Sequence, residues 1–145
     1  MTSQSRVTRQ LAILLVEDDP GDQELVRRAL CRDGFEAALR IVEDGQSAID
    51  ELLLQSGPQA VRLDLVLLDL NLPRKSGLAV LEAARRAPTV RDTPIVVLTT
   101  SERERDVERC NALGCDEYLV KPLDAHDFVA ALRELYARWC ERLDL

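Results

Sequence analysis

This chain carries one histidine in 145 residues, four cysteines with no C-x-x-C spacing, no apolar run longer than the six residues Leu11 to Val16, and fewer basic than acidic side chains, 19 against 26. Each shortage closes a class of function. With His126 alone, and at a position that reads as surface, a His-based zinc site or a Ser/His/Asp triad has no imidazole to build on. Six apolar residues fall far short of the roughly 20 that cross a bilayer. The polar start Met1 to Gln10 lacks the apolar core of a signal peptide, so a cytoplasmic chain is expected, with no membrane contact. In a reducing compartment Cys31, Cys110, Cys115 and Cys140 read as small buried hydrophobes rather than a disulfide framework. A net charge of −7 and a pI near 4.8 argue against a nucleic-acid partner, because phosphate neutralisation needs clustered Lys and Arg. They leave room for Mg²⁺, where local carboxylates matter more than total charge.

What the chain does have is 46% hydrophobic residues, enough for one domain with a core, taken as residues 11–145 behind a polar tail of residues 1–10. Aliphatic runs alternate with stretches of helical periodicity. Strands are predicted over Leu11–Val16, Ala38–Val42, Asp64–Leu68, Ile95–Leu98 and Glu117–Val120. Helices are predicted over Gly21–Cys31, Ser47–Leu54, Gly77–Arg86, Glu102–Leu113 and Asp124–Glu141, with Gly114 at a C′ position. Gln55 to Gln59 reads as loop. Five short-linked β/α units specify an α/β fold, a doubly wound, flavodoxin-like parallel sheet in the order 2-1-3-4-5 with helices on both faces. The order reverses between strands 1 and 3, which opens a crevice at their C-terminal ends.

The residues that follow the strands meet at that crevice: Glu17, Asp18 and Asp19 after strand 1, Asp69 after strand 3, Thr99 after strand 4 and Lys121 after strand 5. Strand 2 ends in Glu43-Asp44 at the sheet edge, out of reach, and Asp64, at the opposite end of strand 3, reads as a solvated charge. Singly, each crevice residue has a plainer explanation as a helix cap or loop charge; together they do not. Crowded carboxylates raise one another's pKa unless something compensates, and a hard divalent cation such as Mg²⁺ does so with oxygen ligands. A hydroxyl and an ammonium supply a neutral donor and a point charge to phosphoryl oxygens. The set fits phosphoryl transfer to a carboxylate with Asp69 as nucleophile. No strong general base stands among these residues, so slow loss of the group is expected.

The motifs Leu14-Leu15-Val16-Glu17-Asp18-Asp19, Leu67-Leu68-Asp69-Leu70-Asn71-Leu72-Pro73 with Gly77, Val97-Leu98-Thr99-Thr100-Ser101 and Tyr118-Leu119-Val120-Lys121-Pro122 stand in this order from about Leu11 to Trp139. In this the chain resembles the receiver domain of two-component response regulators. The resemblance implies that Asp69 accepts a phosphoryl group from a sensor histidine kinase. It further implies Mg²⁺ on Asp18, Asp69 and the Asn71 carbonyl with Glu17 through water, and Thr99 and Lys121 on the phosphoryl oxygens. Thr99 and Tyr118 would form a switch that rearranges the surface of helix 4, strand 5 and helix 5, and the peptide before Pro122 would be cis. The acidic pair is Glu-Asp where the family more often has Asp-Asp. With Asp19 following, the metal pair is either Glu17/Asp18 or Asp18/Asp19, and the first, adjoining Val16, is preferred. Asn71 and Ser101, two residues beyond Asp69 and Thr99, are positions where such domains tune hydrolysis.

No output domain is expected beyond the last helix, as in stand-alone regulators that dock on a downstream protein or relay phosphate. Asn71-Leu72-Pro73-Arg74, Arg91-Asp92-Thr93-Pro94, Thr99-Thr100-Ser101 and the extended loop before strand 3 together resemble the subgroup partnered with bacterial phytochrome-type kinases. The last helix carries Phe128, Leu132, Leu135, Tyr136 and Trp139 at helical spacing, which reads first as core. Trp139 and Leu143 are also candidates for an exposed partner or homodimer contact, as is the face of helix 4, strand 5 and helix 5. Two alternatives stand beside the switch: a Mg²⁺-dependent phosphatase with an aspartyl nucleophile, which would want an acid where Asn71 stands, and a degenerate receiver that only binds protein.

Overall fold

Unbroken aliphatic runs have no polar side to give to water, so they form strands covered on both faces. The computed structural model describes residues 10–54 and 62–143. In it such runs become β1 (Ala12–Val16), β3 (Leu65–Leu68) and β4 (Ile95–Thr99), while the less buried β2 (Ala38–Val42) and β5 (Glu117–Val120) form the edges of the sheet. All adjacent pairs are parallel, as the alternation of elements predicts, and the order is the expected β2-β1-β3-β4-β5. The helices are α1 (Pro20–Cys31), α2 (Gly45–Leu53), α3 (Gly77–Arg86), α4 (Glu104–Ala112) and α5 (Ala125–Leu143).

The two-residue period of a strand sorts the core into two halves. Ile13 and Leu15 of β1, with Leu65 and Leu67 of β3, pack under α1 and α5 against Leu30 and Leu132. Leu14, Val16, Val66 and Leu68 point the other way, against Ala48 of α2 and Leu81 of α3. These strand residues are at most 1% exposed, and each buried Leu is worth about 1.5–3 kcal/mol over an exposed one.

Polar groups set the ends of the elements. Asp19 and Asp44 accept from the Asp22 and Ser47 amides at 2.7 Å each and cap α1 and α2. The Asp44 cap starts α2 at Gly45, two residues before the expected Ser47. The helix α4 starts at Glu104 rather than Glu102, because the Ser101 hydroxyl accepts from the Arg103 amide at 3.2 Å and donates to Asp106 at 2.5 Å, which holds the intervening residues in a turn. Gly114, at φ +91°, ends α4 as expected, with its amide on the Asn111 carbonyl and that of Cys115 on Cys110, the pairing of a Schellman motif.

Two polar contacts weld the N-terminal side of the sheet. Asp64 is not the solvated charge its position suggests: it is half-buried and accepts from the Ala12 amide at 2.8 Å, satisfying the first donor of β1. Arg85 of α3 donates to the carbonyls of Gly114 (2.9 Å), Arg91 (3.1 Å) and Thr93 (2.9 Å) and pairs with Asp116 at 2.8 Å. The same Asp116 oxygen takes the first amide of β4, from Ile95, at 2.8 Å.

The core reading of the last helix holds, and the exposed aromatic does not. Trp139 is 6% exposed, its Nε1 donates to Glu117 at 3.1 Å, and the Arg142 guanidinium lies 4.5 Å from its ring centre. Leu143 is half-buried against the same core. The helix runs back antiparallel to the edge strand β5, so its last turns cover the start of that strand instead of projecting past the sheet. Cys110 and Cys140 are buried, Cys31 and Cys115 half-buried, and none of the four is in a disulfide. Burial pushes Cys110 up to about 11, as an inert core thiol requires. The expected loop Gln55 to Gln59 and nearly all of the polar tail lie outside the described residues, and no helix among the described residues is long and apolar enough to cross a membrane.

Candidate functional site

Parallel register decides which side chains reach the crevice. Val16 lies beside Leu68 across β1 and β3, so Glu17 and Asp69 leave the sheet at the same level, and the Asp69 amide donates to the Val16 carbonyl at 3.1 Å. Thr99 lies beside Val120 across β4 and β5, and the Lys121 amide donates to the Thr99 carbonyl at 2.7 Å. Glu17, Asp69, Thr99 and Lys121 are the buried polar residues among those described, at 2, 7, 0 and 8% exposure. Glu17 and Asp69 come together at the Lys121 ammonium, while the Thr99 hydroxyl is engaged by the Ser101 amide.

The Lys121 ammonium donates to Glu17 Oε1 at 2.6 Å, to Asp22 Oδ2 at 2.8 Å and to Asp69 Oδ2 at 3.3 Å. Oxygens of Glu17, Asp18 and Asp69 lie within 4.8 Å of one another. One ammonium therefore meets three carboxylates with Asp18 as a fourth beside them, and negative charge is in excess. Burial pushes Glu17 up to about 7, against the opposing pull of Lys121. Burial alone would lower Lys121, but its hydrogen bonds to Asp22 and Glu17 and the charge of Asp69 outweigh it and raise the ammonium above its ordinary value. Lys121 is the charged partner, and Glu17 is the carboxylate that burial shifts towards its neutral form. A divalent cation would offset the excess negative charge. Ligand oxygens around an ion at about 2.1 Å stand about 3–4 Å apart, so an all-oxygen set within 4.8 Å fits one with a small inward movement or a bridging water. Of the two possible acidic pairs, Glu17/Asp18 is the one in this group. Asp19 is occupied as the α1 cap, its Oδ2 on the Asp22 amide.

Asn71 is exposed, and its amide donates to Asp69 Oδ1 at 3.1 Å, which pins the carboxylate with Oδ2 turned towards Lys121. Thr99 has its Oγ1 accepting from the Ser101 amide at 3.3 Å. Tyr118 is half-buried, its hydroxyl donates to the Ser101 carbonyl at 2.9 Å, and burial raises it above the usual phenol range. Thr99 and Tyr118 thus hold the same loop by two points. Strand alternation puts Glu17, Asp69 and Lys121 on the side of α1 and α5, and Thr99 with Tyr118 on the side of α3 and α4. The Lys121–Pro122 peptide is trans, as are all those described. The expected cis bond is not formed, in keeping with the intrinsic trans preference of an X–Pro bond. Gly77 lets α3 press against the nucleophile's loop: a Cβ there would collide with the Asp69 carbonyl and stand 2.6 Å from Leu70 Cα.

Asp22 joins the site although it follows no strand directly, which is why the strand-end pattern does not mark it. The available signal was the face on which α1 lies, which is the same face to which Glu17 and Asp69 point.

The response regulator receiver domain profile matches residues 13–133. The chain is 38% identical over 127 residues to FilR2, a probable methanogenesis regulatory protein of Methanothrix harundinacea, across 88% of this chain and 82% of that protein. It is 37% identical over 135 residues to the response regulator Rcp1 of Synechocystis, across 92% of this chain and 91% of that protein. A solved Mn²⁺-bound form of Rcp1 has the same fold at a TM-score of 0.81, covering 90% of this chain and 95% of that one. The structure of the phosphorylated cyanobacterial phytochrome response regulator RcpA matches at 0.82 and 34% identity, covering 90% and 94%.

Proposed function

The chain belongs to the response regulator receiver domain family, and on that premise we propose that it is a phosphorylation switch in which Asp69 takes a phosphoryl group from the phosphohistidine of a sensor kinase. The observation that carries this is the Asp69 carboxylate at the strand end, fixed at Oδ1 by the Asn71 amide and held only loosely at Oδ2, 3.3 Å from Lys121. In the transfer an Asp69 oxygen forms a bond to phosphorus as the P–N bond to imidazole breaks, and the imidazole keeps the electron pair and takes up a proton. Lys121 offsets charge on the phosphoryl oxygens, and the Thr99 hydroxyl, already accepting from Ser101, keeps its O–H to donate to one of them.

Asp18, Asp69 and the Asn71 carbonyl, with Glu17 through water, would hold Mg²⁺. When bound, that ion neutralises the carboxylates and the incoming phosphoryl charge. Glu17 and Asp22 are both engaged by the Lys121 ammonium rather than placed to draw a proton from water, so the acyl phosphate is expected to persist. An aspartyl phosphatase would need an acid/base group where Asn71 presents an amide, and that reading is set aside.

Similarity to Rcp1 and RcpA, the latter a phytochrome response regulator by name, supports a phytochrome-type histidine kinase as the donor. Leu123, fully exposed just beyond Lys121 and Pro122, gives the crevice rim an apolar foothold suited to a protein donor. The Tyr118–Ser101 bond supports Thr99 and Tyr118 as the link from the phosphoryl site to the surface of α4, β5 and α5, which a downstream protein or a second copy would read. Incubation with acetyl phosphate, or with a phytochrome-type kinase and ATP, in Mg²⁺ should give acid-stable, base-labile label that is lost in Asp69→Asn. Label retained by that variant would overturn the assignment.

A further inference from the structure

We propose that Asp22 is a positioning residue for phosphoryl transfer: from the first turn of α1 it holds the Lys121 ammonium off the nucleophile and over the place where phosphoryl oxygens arrive. The inference rests on the reading of Asp69 as phosphoacceptor and deepens it. An ammonium has three N–H donors, and here each has one carboxylate, but not at equal distance: 2.6 Å to Glu17, 2.8 Å to Asp22 and 3.3 Å to Asp69. The cation leans away from Asp69. A carboxylate must offer a lone pair to phosphorus, and a tight ion pair at the attacking oxygen would have to be broken first. The same cation must stay close enough to meet charge developing on the phosphoryl group.

Glu17 alone would not achieve this, because it lies in the acidic group with Asp18 and Asp69, so an ammonium held by it alone stays within that group. Asp22 lies outside that group and gives the ammonium a second carboxylate, at 2.8 Å. Its side chain is 28% exposed while that of Lys121 is 7% exposed, so it stands at the rim with the ammonium beneath it. It is also well anchored. Its amide is bound by the Asp19 carboxylate at 2.7 Å in the capped first turn of α1, so its backbone is fixed independently of Lys121. When phosphoryl oxygens enter, the ammonium has an outer contact to exchange without leaving Glu17.

Removing the Asp22 charge while keeping its shape lets the ammonium settle onto Asp69. With acetyl phosphate and saturating Mg²⁺, Asp22→Asn should lower the maximal rate of Asp69 labelling about tenfold, with the half-saturating acetyl phosphate concentration unchanged, because Asp22 acts on Lys121 and not on the donor. Asp22→Glu, which restores the charge, should recover at least about half of the wild-type rate, and both variants should unfold at the wild-type temperature. Labelling of Asp22→Asn at the wild-type rate would overturn the proposal. So would a loss confined to the half-saturating concentration, or a slowing shared by Asp22→Glu together with a lowered unfolding temperature, which is the signature of a merely structural role. Failure of the wild-type protein to label at all refutes instead the reading of Asp69, which keeps the two failures apart.

Discussion

Two glycines allow stability and phosphorylation to be separated. At Gly77 an added methyl would stand 2.6 Å from Leu70 Cα, where ordinary contact begins at 3.4 Å, so the loop carrying Asp69 must retreat by about 0.8 Å or α3 must tilt. The neighbouring contact is the Asp69 carbonyl, and the Gly77 amide is itself bound to the Leu70 carbonyl at 2.9 Å, so the strain falls on the nucleophile's own backbone. At Gly34, by contrast, a Cβ would meet nothing within 4 Å, but the backbone has φ +92°, which L side chains tolerate poorly. Overpacking in Gly77→Ala should cost about 1–3 kcal/mol, and left-handed strain in Gly34→Ala about 1–2 kcal/mol. Urea unfolding should therefore show comparable losses. Labelling from acetyl phosphate in Mg²⁺ should not: a shift approaching 1 Å at a reacting atom costs up to about a hundredfold, so Gly77→Ala is expected to slow at least about tenfold, while Gly34→Ala keeps its rate. Gly77→Ala labelling within about threefold of wild type would refute the reasoning that α3 sets the position of Asp69.

Two polar groups, Glu17 and Arg85, give further outcomes. Glu17, raised by burial from 4.5 to about 7, binds its proton more tightly folded than unfolded, so without divalent cation its contribution to stability is full below about pH 4.5 and is lost as pH rises towards 7. Urea midpoints measured across that interval should fall in the wild-type protein and fall less steeply in Glu17→Gln; equal slopes would remove Glu17 as the cause. Arg85→Met breaks four contacts of a guanidinium whose side chain is 19% exposed; non-additive losses at about 0.5–1.5 kcal/mol per bond sum to about 2–3 kcal/mol in urea unfolding, and a change under about 1 kcal/mol would show the clamp to be replaceable by water.

Sequence by itself determined most of the sheet and part of the site. Four-residue runs such as Leu65–Leu68 admit no solvent face, and β/α alternation with short connections specifies a parallel sheet covered by helices on both faces. The residue after each such strand then has only one edge to occupy, so Glu17, Asp69 and Lys121 were legible. Tertiary structure decided whatever depends on docking between elements. Asp22 enters the site because α1 packs on the face to which Glu17 and Asp69 point. Asp64 finds an amide on β1, Trp139 is covered because α5 runs back over the start of β5, and Asp19 spends its carboxylate on a helix cap, leaving Glu17 and Asp18 beside Asp69. Strand and helix periodicity arises from local backbone geometry and is written residue by residue. The partner of a side chain across two elements is fixed only when their faces meet, and that meeting holds Lys121 between Glu17 and Asp22.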